Sequence, residues 1–351
     1  MWSDQRARPS KTKPEVRAPL GEFVTPAKVF FDRRTFLHRA GLGLLGLACS
    51  GEPRGPRAIP ALDRPDVFPA PRNHRIRLPS SVRSVPLTPR ETAARHNNFY
   101  EFLPGRGGDV APEAEDFQVE PWRLQVDGAC RSPQTFTLDD LFQIPHEERL
   151  YHFRCVERWA MNVPWTGFPL HRLLEQVEPS DEVRWVTFES AAEPSTMPGL
   201  RLASHYPWPY REALRLDEAL HDLTLLATGV YGAPLPRQHG APLRLVVPWK
   251  YGYKSAKSLV RIRLVEDPPT TFWSEVSPHE YGLLSNVNPN LPHPRWGQSL
   301  SFWLRDDPVW PTAADTFPTA LFNGYEEEVG PLYPDEPREP RPPLLPGEIA
   351  R

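Results

Sequence analysis

The chain has 351 residues, of which 39% are hydrophobic and 24% are charged, and its formal net charge is -3. This length is sufficient to bury one large core, and the near-neutral charge excludes a protein that holds nucleic acid through a strongly basic face. Proline is unusually frequent, with 45 residues or about 13% of the chain, against roughly 5% on average. Because an interior proline removes a backbone donor and clashes with the preceding turn, we expect few long helices.

Residues 1–50 are predicted to be an export signal with an extra leader. Arg33 and Arg34 precede the apolar run AGLGLLGLACS over 40–50, which gives about 16 Å of helix and is too short for the roughly 30 Å hydrocarbon core. The Arg pair is typical of a twin-arginine signal, so we expect the twin-arginine export machinery to carry the folded protein to the periplasm. An ordinary amphipathic helix is the alternative. Cys49 ends the run, and is either a lipid anchor or removed with the signal.

Residues 51–90 are rich in Pro and Arg and predict an extended segment. A globular domain is predicted over 91–330, and a Pro-rich tail over 331–351. Alternating or continuous apolar runs predict strands over 122–126, 148–156, 184–189, 243–249 and 258–266. Helices are predicted over 138–144, 169–177 and 210–221. This irregular mixture of strands and short helices predicts an α+β fold with mixed β-sheets.

The three cysteines, Cys49, Cys130 and Cys155, permit at most one disulfide, and no CxxC pair indicates zinc. Cys155 ends a predicted strand beside Arg154 and Arg158. Neighbouring cations lower the pKa of a thiol, and the thiolate is the form that binds metal. A buried and inert core cysteine is the alternative interpretation.

Two other segments carry polar side chains suited to a ligand. His96–Phe102 contains two amides, a Tyr and a Glu, which either line a polar site or form a turn. Residues 238–258 combine glycines with Arg244, Lys254 and Lys257, which suit a phosphate-binding loop or a solvated basic hairpin. Neither GxGxxG nor GxxxxGK[ST] occurs, so no Rossmann or P-loop nucleotide site is supported.

Together these segments resemble one family over roughly residues 90–330, the periplasmic protein-methionine-sulfoxide reductases, which are molybdoenzymes of the sulfite-oxidase fold. The resemblance lies in NNFYEF (97–102), RCVE (154–157), VPW and GFPL (163–170), VPWKYG (247–252), NVNP (286–289), HPRW (293–296) and LFNGY (321–325). It implies a sulfite-oxidase-type molybdopterin-binding fold and a molybdenum-molybdopterin cofactor. The implied reaction reduces methionine sulfoxide in oxidised envelope proteins.

The resemblance also implies roles for individual residues. Cys155 matches the thiolate ligand to molybdenum, and Asn98 and Glu157 match polar residues near the metal. The positions that match cofactor-binding residues are Asn97, Tyr100, Glu101, Ser190, His239, Arg244, Ser255, Ala256 and Lys257. Ser190, His239 and the pair Ser255-Ala256 depart from the family pattern, and His239 bears on the choice of substrate.

The implied electron donor is a haem-binding membrane subunit, because no CxxCH in this chain could bind haem covalently. Sulfite dehydrogenation on the same fold is the alternative enzyme, and it requires several Arg around a dianion. A cofactor-free envelope binding protein is a second alternative, although it would not need Cys155. A Cys/His hydrolase would need a His oriented by a third group, and no pattern identifies one.

Overall fold

The structure, a computed structural model, describes residues 62–105, 107–305 and 313–342. The predicted signal over 1–50, Cys49 and the first part of the extended segment lie outside the described residues. From Leu62 to Pro89 the chain has turns, bends and an isolated bridge between Arg72 and Glu148, with no named strand. Within the described ranges, no helix combines the length and the apolar character that crossing a bilayer requires.

Two mixed β-sheets form the centre of the described chain. The strands are β1 (Arg123–Gly128), β2 (Gln134–Thr137), β3 (Glu147–Arg154), β4 (Trp159–Pro169), β5 (Trp185–Ser190), β6 (Arg211–Arg215), β7 (Leu225–Val230), β8 (Ala233–Pro234), β9 (Arg244–Val246), β10 (Leu259–Val265), β11 (Leu300–Trp303) and β12 (Thr316–Pro318). The five-stranded sheet has the order β2-β1-β10-β5-β6, with β1 and β10 parallel. The seven-stranded sheet has the order β12-β11-β4-β7-β8, with β3 on β4 and β9 on β7.

The α-helices of the described chain are all short. They are α1 (Arg90–Ala94), α2 (Leu138–Phe142), α3 (Leu170–Val177), α4 (Pro198–Leu202), α5 (Leu216–Leu220), α6 (Phe272–Val276) and α7 (Glu326–Val329). Short helices between mixed sheets confirm the predicted α+β class. In α3, Leu170, Leu173, Leu174 and Val177 are buried at helical spacing, so this helix packs one apolar face on the core.

The predicted helix over 210–221 is wrong in its first half. Residues 211–215 form β6, which pairs antiparallel with β5, and only Leu216–Leu220 is helical. Ala213 and Leu214 become buried through this pairing, so a long-range contact overrides the local helical pattern. The predicted strand over 243–249 is also shorter, because Pro248 has no amide to donate and Lys250 N donates to Val247 O in a turn.

The described part of the predicted tail is tied to the core. Tyr333 is buried, its hydroxyl donates to Glu218 at 2.5 Å, and it accepts a hydrogen bond from Trp249 Nε1 at 2.9 Å. Asn288 Nδ2 donates to Glu336 Oε1 at 2.8 Å. Residue 333 is therefore part of the folded core, although it lies beyond the boundary predicted at 331.

Candidate active site around Cys155

Cys155 lies in the tight turn that joins β3 to β4. The last four residues of β3 are buried, and Arg154 pairs with Ala160 across the hairpin. Cys155 N donates to Trp159 O at 3.0 Å, and Arg158 N donates to Cys155 O at 2.9 Å. The side chain is 6% exposed, and Cys130 and Cys155 are both free thiols. The fold thus holds one buried sulfur in a hydrogen-bonded turn.

Asn98 and Glu157 lie beside this sulfur. Asn98 Nδ2 is 3.6 Å from Cys155 Sγ and donates to Glu157 Oε2 at 2.9 Å. Cys155 Sγ is 3.7 Å from the same Oε2, which also accepts a hydrogen bond from Trp159 Nε1 at 3.0 Å. Two donors therefore fix the Glu157 carboxylate next to the thiol.

The expectation that neighbouring Arg side chains lower the thiol pKa is wrong for the protein alone. Burial raises the pKa of Cys155 well above its usual value, and Glu157 raises it further. Arg154 lowers the pKa of Cys155, but this effect is smaller than those of burial and Glu157. The Arg158 side chain donates to Leu300 O at 3.0 Å. A bound cation is what would favour the thiolate here, because metal coordination deprotonates a thiol.

The segment containing Asn98 is held by a second loop. Asn97 and Gly108 form an antiparallel bridge, and Asn97 Nδ2 donates to Ala94 O at 2.8 Å. A Cβ at Gly107 would lie 2.4 Å from Asn98 Oδ1. A side chain at position 107 would therefore displace the Asn98 amide from its present position.

Tyr100 and Glu101 continue this segment into the interior. The Tyr100 ring packs edge-on against Trp273 at 5.0 Å between centroids, and burial raises the pKa of its hydroxyl. Glu101 is buried, and its backbone oxygen accepts a hydrogen bond from Gly199 N at 2.8 Å. Burial raises the pKa of the Glu101 carboxyl, and Lys257 opposes that shift.

Arg244 and Lys257 are two neighbouring cations, and Lys257 contacts the backbone of Asn98. Arg244 is buried and donates to the backbone oxygens of Leu245, His239 and Ser255. Burial lowers the pKa of Arg244 to about 9, and also lowers the pKa of Lys257. Lys257 Nζ donates to Asn98 O at 2.9 Å.

The remaining predicted residues surround these cations. His239 is buried, and burial, Arg244 and Lys257 lower its pKa to about 3, so the imidazole is neutral. The Ser255 hydroxyl accepts a hydrogen bond from Val247 N at 3.1 Å, and Ala256 O accepts one from Leu245 N. These contacts fix the loop that the sequence predicts to bind phosphate.

The polar groups around this region fit an anionic, polar ligand. Ser190 Oγ and Asn98 Oδ1 are buried without a hydrogen-bond partner among the described residues. No carboxylate forms an ion pair with Arg244 within the same ranges. Unpaired buried polar atoms and charges are costly. A phosphate-bearing pterin cofactor would provide the missing partners, so the donor set fits a molybdopterin.

A cavity of about 550 Å³ opens beside Asn98 and Glu157, which is within the usual size of ligand sites. It is lined by Arg95, His96, Asn97, Asn98, Gly107, Gly108, Asp109, Glu157 and Trp159. The sequence motif around Cys155 extends to Trp159, whereas no pattern in the sequence identified Arg95 or Asp109. Among the described residues, no group of three His, Cys, Asp or Glu side chains is arranged to hold a metal ion.

Comparisons with known proteins identify a domain family and similar full-length relatives. A family model described as the oxidoreductase molybdopterin binding domain matches residues 110–273. A protein-methionine-sulfoxide reductase catalytic subunit from Pseudomonas syringae pv. tomato is 44% identical over 321 residues, covering 88% of this chain and 93% of the relative. The corresponding protein of Xanthomonas axonopodis pv. citri is 43% identical over 315 residues, with the same coverage. The sulfane dehydrogenase SoxCD from Paracoccus pantotrophus is 19% identical, with a TM-score of 0.40, over 74% of this chain and 64% of that chain.

Proposed function

The chain belongs to the family of protein-methionine-sulfoxide reductase catalytic subunits, and on that premise we propose that it reduces methionine sulfoxide in proteins to methionine with a molybdenum-molybdopterin cofactor. One observation carries the proposal: the buried Cys155 sulfur lies 3.6 Å from Asn98 Nδ2 and 3.7 Å from Glu157 Oε2, and both of these residues line a cavity. A soft thiolate is a suitable ligand for such a metal.

Cys155 would be the protein's ligand to the metal, while Arg244, Lys257 and the hydroxyl of Ser190 would hold the pterin and its phosphate. Asn97, Tyr100, Glu101, His239, Ser255 and Ala256 would complete the cofactor site. When bound, the cofactor supplies two electrons and accepts the sulfoxide oxygen. With two protons, the products are a thioether and water.

The protein's own groups orient the reacting sulfoxide and hold a proton near it. Asn98 and Trp159 fix Glu157 Oε2 by hydrogen bonds at 2.9 and 3.0 Å. Glu157 therefore lies at the cavity wall in a defined orientation, where its carboxylate can relay protons from water to the departing oxygen. The Asn98 amide is placed to orient the substrate beside the thiolate.

The charges in the cavity wall support a neutral substrate over sulfite. Glu157 and Asp109 contribute two carboxylates, and Arg95 is the one Arg among the lining residues. A site for a dianion would instead concentrate cations. Arg154 is fully buried and Arg158 is bonded to Leu300 O, so neither adds to this wall. A cofactor-free binding protein is disfavoured because the buried Arg244 would then have no anion.

We extend the proposal to the protein's setting in the cell. The twin-arginine pattern at Arg33-Arg34 supports export of the folded chain to the periplasm, with Cys49 as a possible lipid-attachment site. Oxidised envelope proteins would be the substrates there. A haem-binding membrane subunit would supply the electrons, since the sequence has no CxxCH motif.

The test compares native protein with Cys155→Ser and with Cys130→Ser, all expressed in a host that makes the cofactor. Cys130 is a free, partly exposed thiol and provides the matched control. We expect about one molybdenum per chain and reduction of protein-bound methionine sulfoxide in the native and Cys130→Ser proteins, and loss of both in Cys155→Ser. A protein that contains molybdenum but oxidises sulfite would overturn the proposed substrate assignment. A native protein without molybdenum would overturn the assignment as a molybdenum enzyme.

A further inference from the structure

Arg154, which precedes Cys155 at the end of β3, is a fully buried cation in a neutral environment. Its side chain is 0% exposed. All three guanidinium nitrogens donate hydrogen bonds, and the acceptors are Ser301 Oγ, Gln298 Oε1, Cys155 O, Gln298 O, Leu300 O and Thr319 Oγ1. Every one of these acceptors is a hydroxyl, an amide or a backbone carbonyl. The guanidinium is therefore well hydrogen-bonded but not neutralised.

Within the described ranges, Arg154 forms no ion pair with a carboxylate. The Tyr251 ring lies 5.5 Å from its guanidinium carbon, and the Tyr251 side chain is also a hydrogen-bond partner of Arg154. Burial raises the pKa of the Tyr251 hydroxyl, so this partner is neutral. A buried charge without a counter-charge is unfavourable, and natural structures pair such charges or coordinate them. Arg154 is therefore a buried cation whose counter-charge is not among the carboxylates of the described residues.

The Cys155 thiolate is the group positioned to be that counter-charge. Arg154 Nη1 donates to Cys155 O at 3.3 Å, so the cation and the sulfur belong to adjacent residues of one turn. Each group acts electrostatically on the other, the cation favouring the thiolate and the thiolate favouring the cation. Arg158, on the opposite side of Cys155 in sequence, is only half-buried, so water screens its charge.

We infer that Arg154 is a positioning residue whose buried charge balances the Cys155 thiolate and raises the reduction potential of a molybdenum ion bound to it. This inference rests on the proposed molybdenum site. Adding an electron makes the metal centre more negative, and a nearby positive charge stabilises that reduced state. The effect is strong in a buried environment, because the effective dielectric constant there is low. No bond forms or breaks, and the electron comes from the external donor.

The experiment measures the midpoint potential of molybdenum in the full chain, by redox titration with mediators and detection of the paramagnetic metal signal. Arg154→Met removes the charge while keeping the length of the side chain, and we expect a lower midpoint potential. Arg154→Lys keeps the charge but loses most of the hydrogen bonds, and we expect a potential close to native. Arg158→Met is the matched control, with a potential also close to native.

A purely structural role for Arg154 predicts a different pattern, in which Lys and Met perturb the protein alike. The inference is overturned if Arg154→Met binds molybdenum at an unchanged potential, or if Arg154→Lys shifts the potential as far as Arg154→Met. If Arg154→Met does not retain molybdenum, Gln298→Glu provides the second measurement. Gln298 Oε1 lies 2.7 Å from Arg154 Nη1, so a carboxylate there neutralises the cation in place.

We expect Gln298→Glu to lower the potential, and an unchanged potential in this variant would equally refute the role of Arg154. Failure of the proposed function gives a separate result. In that case the native protein itself would contain no molybdenum signal. A native signal with unshifted variants would reject only the inference about Arg154.

Discussion

Replacing Lys250 with Met tests how much the buried ion pair between Lys250 and Glu218 stabilises the fold. Lys250 is 0% exposed and Glu218 is 1% exposed. Lys250 Nζ donates to Glu218 Oε1 at 2.8 Å, to Leu284 O at 2.7 Å and to Asn286 Oδ1 at 2.9 Å. The substitution leaves the buried Glu218 carboxylate with only the longer ion pair to Arg215 Nε at 3.9 Å.

Removing one partner of a buried pair costs about 3–5 kcal/mol, which is a large part of a total stability of about 5–15 kcal/mol. Unfolding by urea should therefore show this loss of free energy for Lys250→Met. The double variant Lys250→Met with Glu218→Gln should recover much of it, because the carboxylate is no longer charged. The coupling between the two changes measures the pair directly.

The control is Arg338→Met, which breaks the half-exposed ion pair between Arg338 and Glu326. Exposed pairs contribute about 0–1 kcal/mol, so this variant should remain close to native. A loss for Lys250→Met no greater than that of the control would refute the reasoning. A double variant no more stable than Lys250→Met would show that the buried charge is not the cause.

The remaining predictions concern pH and the Asn98 loop. Burial lowers the pKa of His152 to about 4, so between pH 6.5 and pH 4 the unfolded chain binds a proton that the folded chain does not. The free energy of unfolding should therefore decrease by up to about 1.4 kcal/mol for each unit by which the pH is lowered. His152→Gln should show a shallower dependence of this free energy on pH, and an identical dependence would contradict the prediction. Gly107→Ala places a methyl group 2.4 Å from Asn98 Oδ1, so sulfoxide reduction should fall at least about tenfold through loss of a hydrogen bond to a charged group. Gly297→Ala, with no atom within 4 Å of the new methyl group, should be neutral, and equal activity in the two variants would exclude the contact.

Local sequence patterns predicted the strand and the helix next to the site, but they did not predict how these elements pack. The strand leading into Cys155 and the helix after Pro169 both form, because apolar periodicity and Pro at a helix start are local signals. The long strand β4 was not predicted. It contains Pro164 and Gly167, both unusual inside strands, and a Cβ at Gly167 would lie 2.0 Å from Leu226 O.

The electrostatic environment of Cys155 was not predictable from neighbouring residues. The sequence places Arg154 beside it, which suggested a lowered thiol pKa. The partners of Arg154 are Gln298, Ser301 and Thr319, between 144 and 165 positions away. Only the folded chain shows that these partners are neutral and that burial has the largest effect on the pKa of the Cys155 thiol. The roles of the cofactor-binding residues remain predictions from the family resemblance.

The contacts of Tyr333 constrain when the protein can mature during synthesis. Its hydroxyl donates to Glu218, which in turn holds Lys250 within the segment 238–258 that is predicted to bind the cofactor phosphate. A ribosome makes residue 333 only after residues 218 and 250 have been translated, so the support for this segment is incomplete until late in translation. Cofactor insertion would then follow synthesis of the core rather than accompany it, and a twin-arginine route, which accepts folded cargo, is compatible with that order.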